Sequence, residues 1–308
     1  MLCSEVLEIF LKQKTVEGVT DDTLKHYNTQ INLFINFVNN CDIKNINYNV
    51  YQDYIINLKN RFNIGSGINK NKKLASRTIK TYASAIRTFF QFCYDFKYID
   101  IDIAQNIKMP KYQKKVITVL NNEQLKKILI SFNINTFSGS RDLLIFCLML
   151  DCGLRLSEVC NLKYNDFDFY NKIIKINGKG QKQRYVPLSS TLEKVFIYYD
   201  TFCINNLSDN YKYYSFFRTI DDKNINKNTI SLIFKRLSKK LNFSIHPHLI
   251  RHTFATHFLQ NGGDIENLRI ILGHSTFYMT EQYLHFVNSL NMKKQVKYSP
   301  LNIIKKEL

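Results

Sequence analysis

Along residues 1–107 apolar positions recur at helical spacing, and no alternating strand pattern interrupts them. Residues 2–14 predict a first amphipathic helix. Thr20, Asp21 and Asp22 supply an N-terminal cap for a second, which carries Leu24, Tyr27, Ile31, Phe34, Ile35 and Val38. Residues 48–62 predict a third. Ser76 is read as the cap of a fourth, with Ile79, Tyr82, Ala83, Ile86, Phe89, Phe90 and Phe92 on its apolar side. These helices predict a small bundle.

The pattern then changes. Lys108 through Lys115 holds one Pro, four Lys and no acid, which is linker composition. An extended basic linker can track a phosphate backbone, which makes Lys111, Lys114 and Lys115 candidate DNA contacts. Beyond it the elements mix. Asn121-Asn122-Glu123 opens a helix to about Phe132, and residues 140–152 predict a very apolar, buried helix stopped by Gly153. Ser157 starts a short helix. Residues 168–176 and 184–188 read as strands around the turn Asn177-Gly178-Lys179-Gly180. Helices follow near 190–202, 229–241, 248–261, 264–272 and 276–287. The expected fold class is mainly α with a small antiparallel β-sheet. The expected division is a helical domain over 1–107, a basic linker over 108–117, an α+β domain over 118–290 and a tail over 291–308.

Charge narrows the class of partner. The chain of 308 residues carries a formal net charge of +18, and 45% of its residues are hydrophobic, so a core can form. Such a basic chain points to a polyanion, nucleic acid first and an anionic membrane surface second. Residues 1–108 hold 14 basic and 10 acidic side chains, whereas residues 109–308 hold 29 and 15. The positive field therefore belongs mainly to the second part. The longest apolar run, Leu143 to Leu150, falls far short of a membrane span, so no membrane insertion is expected. The N-terminus carries Glu5 and Glu8 and lacks the basic start of a secretory signal. The seven cysteines are odd in number, scattered, and form no CxxC pair, which suits free thiols in a reducing cytoplasm.

Candidate chemistry sits in the second part. Six of the seven histidines lie between 246 and 285, and His26 alone falls in the helical part, where a surface position is expected. His248 and His252 have the i, i+4 spacing of a zinc pair, but Leu-Ile-Arg lies between them and no acid completes a shell, so a metal site is not expected. His248 and Arg251, at i and i+3, share a helix face near an end opened by Pro247, where the helix dipole favours an anion. His274 follows Gly273 at a corner, and Tyr283 lies about two turns into the next helix. Arg155 emerges from an apolar frame with Glu158 three residues on as an orienting partner, an Arg–Glu bridge being the plain structural alternative. Lys179, Lys182 and Arg184 form a basic finger that can enter a DNA groove, a solvated turn being the alternative. Two Arg, a Lys, two His and a Tyr, with no evident acid pair for Mg²⁺, suit metal-free transfer of a phosphodiester to a tyrosine.

The order of these residues resembles the tyrosine recombinase (phage-integrase) family, most closely its bacterial Xer-like branch. The matching stretches run from Cys152-GLRLSEV-Cys160 through ING-Lys179-GQKQRYVPL, HPHLIRHTFATHFLQNGGD and LGHS to the EQY that ends on Tyr283. The spacings fit too: 24 residues from Arg155 to Lys179, 23 from Arg251 to His274 and 9 from His274 to Tyr283. The N-terminal part resembles the family's SAM-like core-binding domain, with Arg77, Lys80 and Arg87 as candidate DNA contacts.

The resemblance implies that Arg155 and Arg251 bind the scissile phosphate and that His274 supports it. It implies His248 as base or further phosphate ligand, Lys179 as general acid, and Tyr283 as the nucleophile forming a 3′-phosphotyrosyl bond. It implies no cofactor, since that bond conserves the phosphodiester energy without ATP or metal. The implied partner is a double-stranded recombination site, held by a homotetramer or by a heterotetramer with a second recombinase, with a DNA translocase as a further partner. Residues 291–306 would pass to the next protomer. The implied location is the cytoplasm, on the nucleoid. The implied reaction serves chromosome-dimer resolution or integration and excision of a mobile element. Two other readings share the residue set: a catalytically silent DNA-binding relative, and a hairpin telomere resolvase or type IB topoisomerase.

Overall fold

The computed structural model describes residues 1–62, 73–111, 118–178, 183–207, 215–284 and 287. The chain divides into two compact units, Met1–Lys115 and Val116–Leu308.

The first unit is helical, with α1 Cys3–Val16, α2 Asp21–Phe37, α3 Tyr48–Asn60, α4 Ser76–Asp95 and the short α5 Ile103–Asn106. Its core is aromatic. Phe10 of α1 meets Tyr27, Phe89 and Phe92 edge-on, and Phe34 of α2 meets Tyr54 and Phe90 likewise. Helix α4 buries the apolar stripe read from its sequence, from Ile79 through Ala83, Ile86, Phe89, Phe90 and Cys93. Its start differs from expectation. Ala75 is the N-cap and Ser76 is already helical, so the hydroxyl caps nothing.

In the second unit, α6 Asn122–Ile130 opens with a capping box between Asn121 and Gln124. Helix α7, Phe137–Asp151, starts earlier than expected because the Thr136 hydroxyl accepts from the Gly139 N–H. It packs against α9, Ser190–Asn206, and α11, Pro247–Gln260. The short α8, Leu156–Asn161, follows a corner at Gly153. Helices α10, Lys227–Leu241, and α12, Ile265–Leu272, complete the shell, and residues 278–284 are helical.

The sheet is antiparallel in the order β1 Phe167–Asp168, β2 Ile173–Asn177, β3 Gln183–Pro187. The single strand expected over 168–176 is in fact two. The Asp168 carboxylate accepts from the backbone and side-chain amides of Asn171, and Lys172 turns at φ 56°, folding the chain back. Strands β2 and β3 pair from Ile173↔Pro187 to Asn177↔Gln183, burying Ile174, Ile176 and Val186 on one face. All seven cysteines are free, and five of them are buried.

Candidate active site

Two corners and one helix face build the site. The first corner is Gly153, at φ 61°, where a Cβ would lie 2.4 Å from Phe254 Cδ1 and 2.9 Å from Leu272 Cδ2. Only glycine fits both the backbone angle and the space. The second is Gly273, also at φ 61°, which caps α12 and turns the chain into His274. The helix face belongs to α11. Its N-cap is His246, whose Nδ1 accepts from the Leu249 N–H, with Pro247 as the first helical residue.

Arg251 projects from α11 into the space between the corners and is 5% exposed. Its guanidinium donates to the Gly153 carbonyl at 2.6 Å and the Leu272 carbonyl at 2.7 Å. Among the described residues no carboxylate lies within ion-pair distance of it. Burial, then the nearby Arg155 charge, push its pKa down to about 9, so it stays charged at neutral pH. A desolvated cation with no carboxylate partner is a site for an anion.

His274 lies beside it, with Nε2 3.2 Å from Arg251 Nη2 and Nδ1 2.8 Å from Thr280 Oγ1. A guanidinium can only donate, so Nε2 accepts and Nδ1 carries the proton toward Thr280. Burial, then the charges of Arg251 and Arg155, lower the His274 pKa to about 4. The ring is therefore neutral, as this tautomer requires.

Arg155 is the N-cap of α8, and its side chain remains 34% exposed. It donates to Glu158 at 3.0 Å and to the Gly273 carbonyl at 3.0 Å, so it spans both corners. Glu158 is the partner expected from the i+3 spacing. Its carboxylate also receives Arg184, at 2.7 and 2.8 Å. Burial pushes the Glu158 carboxyl up, but the Arg184 and Arg155 contacts outweigh it and hold the pKa below the usual carboxylate range.

Arg184 therefore departs from the expected basic finger. Its side chain is 9% exposed, points inward, and gives its Nε–H to the Ile271 carbonyl at 2.6 Å. The signal was in the alternation of β3, because Arg184 shares the parity of buried Val186 and Leu188, while Gln183, Tyr185 and Pro187 face out. Lys179 and Lys182 lie outside the described residues, as do Lys114 and Lys115.

Tyr283 is 2% exposed, among Phe254, Ala255, Leu268 and Leu272. Its ring stacks on His274 with centroids 6.5 Å apart and planes at 10°. Its hydroxyl meets His252 Nδ1 at 2.7 Å. Burial raises its pKa, and the Arg251 and Arg155 charges pull it partly back. His252 and Thr280 were missed as site residues by the motif reading. Their partners lie far along the chain or on another element, a relation no local spacing displays. His248 is exposed on α11, its ring centroid 6.5 Å from that of His252. In the other unit, Arg77 and Arg87 of α4 and Lys111 are exposed, and Lys80 lines the same groove as Arg87. His26 is exposed.

Among the described residues no group of three or more His, Cys, Asp or Glu could hold a metal ion. Nor is any described helix long and apolar enough to cross a membrane.

Comparison with known proteins identifies the family. Residues 118–289 match the phage integrase family, and residues 4–114 match the phage integrase SAM-like domain. The chain is 30% identical over 286 residues to tyrosine recombinase XerC of Bacillus pumilus, covering 90% of each chain. It is 31% identical over 297 residues to a tyrosine recombinase of Pseudothermotoga lettingae, covering 95% of each. Its fold is similar to that of the XerH site-specific recombinase bound to a palindromic difH substrate in a post-cleavage complex. The TM-score is 0.71 at 20% identity, over 94% of this chain and 83% of that one. The chain belongs to the phage integrase family and is a tyrosine recombinase.

Proposed function

We propose that this recombinase cuts and rejoins duplex DNA at a specific site through a 3′-phosphotyrosyl intermediate on Tyr283. The observation that carries the assignment is the convergence of Arg251, Arg155, His274 and Tyr283 around two glycine corners. Arg155 and Arg251 bind the non-bridging oxygens of the scissile phosphate and neutralise the charge that builds on the phosphorane. His274 steadies Arg251. His248, exposed beside the pair, adds a phosphate contact or serves as base. Lys179 protonates the departing 5′ oxygen. The bond energy stays in the phosphotyrosine, so religation requires neither ATP nor metal.

The DNA contacts proposed are Arg77, Lys80 and Arg87 on α4 with Lys111, Lys114 and Lys115 of the linker and Lys182 of the hairpin. Arg184, turned inward, is not among them. The protein is proposed to act on the nucleoid in the cytoplasm as a homotetramer, or as a heterotetramer with a second recombinase, with a DNA translocase as its further partner in chromosome-dimer resolution; mobile-element integration is the other role the chemistry serves. The tail, 291–308, proposed for exchange between protomers, lies outside the described residues.

A duplex nicked near the cleavage point tests the reading, because loss of the short fragment traps the covalent complex. Wild type is expected to accumulate it equally with and without EDTA. A strict requirement for Mg²⁺ in the cut would contradict the mechanism.

A further inference from the structure

We propose that His252 is the group that holds the Tyr283 nucleophile and takes its proton during strand cleavage. The inference rests on the reading of Tyr283 as nucleophile and gives a role to a residue that the family reading left without one.

The geometry is direct. His252 Nδ1 lies 2.7 Å from Tyr283 Oη, within the same chain. The other charged groups around the phenol, Arg251 and Arg155, can only donate hydrogen bonds. The phenol proton therefore points to His252 Nδ1, and the ring carries its own proton on Nε2. Acceptance requires a neutral ring, and the surroundings keep it so. Burial comes first, followed by the neighbouring His248, Arg251 and His246 on α11, and together they lower its pKa to about 4. From the facing elements, Tyr283 and His274 complete the set of titratable groups. The same arrangement explains the phenol's burial: an apolar surround at 2% exposure raises the cost of ionisation, so a positioned acceptor is needed before attack.

The step balances within the site. As Tyr283 Oη bonds to phosphorus, the O–H bond breaks and its proton passes to His252 Nδ1. The negative charge building on the phosphorane beside it favours the imidazolium. The P–O5′ bond breaks with its electron pair on the 5′ oxygen, which takes a proton from Lys179. Religation reverses each transfer: the 5′ hydroxyl returns its proton, and the departing phenolate recovers the one on His252.

His252→Asn separates holding from proton transfer. An Asn Oδ1 sits near the place of Nδ1 and accepts the same hydrogen bond, but it does not take a proton at neutral pH. Single-turnover cleavage of the nicked duplex is measured from pH 6 to 9 alongside DNA affinity. His252→Gln serves as the second variant, and whichever keeps wild-type affinity is read. Wild type is expected to be nearly flat across this range, its base being already neutral. The variant is expected to lose on the order of 100-fold at pH 7 and to regain about tenfold per pH unit as hydroxide replaces the base. A substrate with sulfur at the bridging 5′ position needs no leaving-group proton, so the variant is expected to stay slow on it.

A wild-type rate and flat profile in the variant would overturn the proposal. So would a defect erased by the sulfur substrate, which would place His252 at the leaving group. Covalent capture persisting in Tyr283→Phe would instead overturn the nucleophile assignment itself.

Discussion

The two units bury different kinds of residue. In the helical unit the described core is apolar and aromatic, and Gln30 is its one buried polar side chain. In the second unit Arg141, Glu158, Asp166, Arg218, Arg251 and His274 are all buried. Burying a charge costs free energy unless partners replace water. The helical unit avoids the cost and keeps Arg77 and Arg87 on its surface, where they are free to meet phosphate. The second unit accepts it, and around Glu158 and Arg251 it does so where a phosphate is proposed to bind. On the proposed function, the first unit docks DNA and the second carries the chemistry.

Substitutions should break the two units differently. The largest expected effect is Tyr283→Phe, which abolishes covalent capture and leaves DNA affinity unchanged, as gel shift and denaturing gels would show. Next, Phe10→Ala should cost about 3–5 kcal/mol of stability in denaturant titration by opening the aromatic core. If folded at low temperature, that variant should still form the covalent complex.

Arg184→Met should cost about 3–5 kcal/mol by a different route, since it leaves the buried Glu158 carboxylate without its bidentate partner. The pH dependence distinguishes the two routes. Glu158 is held below its ordinary pKa, so it contributes stability that is present above the unfolded carboxylate value and lost as pH falls through the folded one. Arg184→Met should flatten that acid dependence, while Phe10→Ala should leave it intact. The smallest effects belong to the surface. Arg77→Ala and Arg87→Ala should each lower the salt slope of DNA binding by about 1, without changing the rate of cleavage by bound enzyme.

Much of this was legible in the sequence because it is periodic or local. Helical spacing marked α2 and α4, and the Arg155–Glu158 pair stood three residues apart. The strand break at Asp168 was missed because a side chain hydrogen-bonding its own loop overrode the β-branched run that follows it. Arg184 was misread because its charge was weighed before the alternation of its strand. The His252–Tyr283 contact joins residues 31 apart, across two elements whose packing sets the distance. Such relations belong to the fold and not to any window of sequence.

The central claim is that Tyr283 carries the DNA. Protease digestion of the trapped covalent complex, followed by mass spectrometry of the DNA-linked peptide, tests it most directly. A 3′-phosphate attached to the peptide containing Tyr283 is the expected result. The same phosphate on any other residue would contradict it.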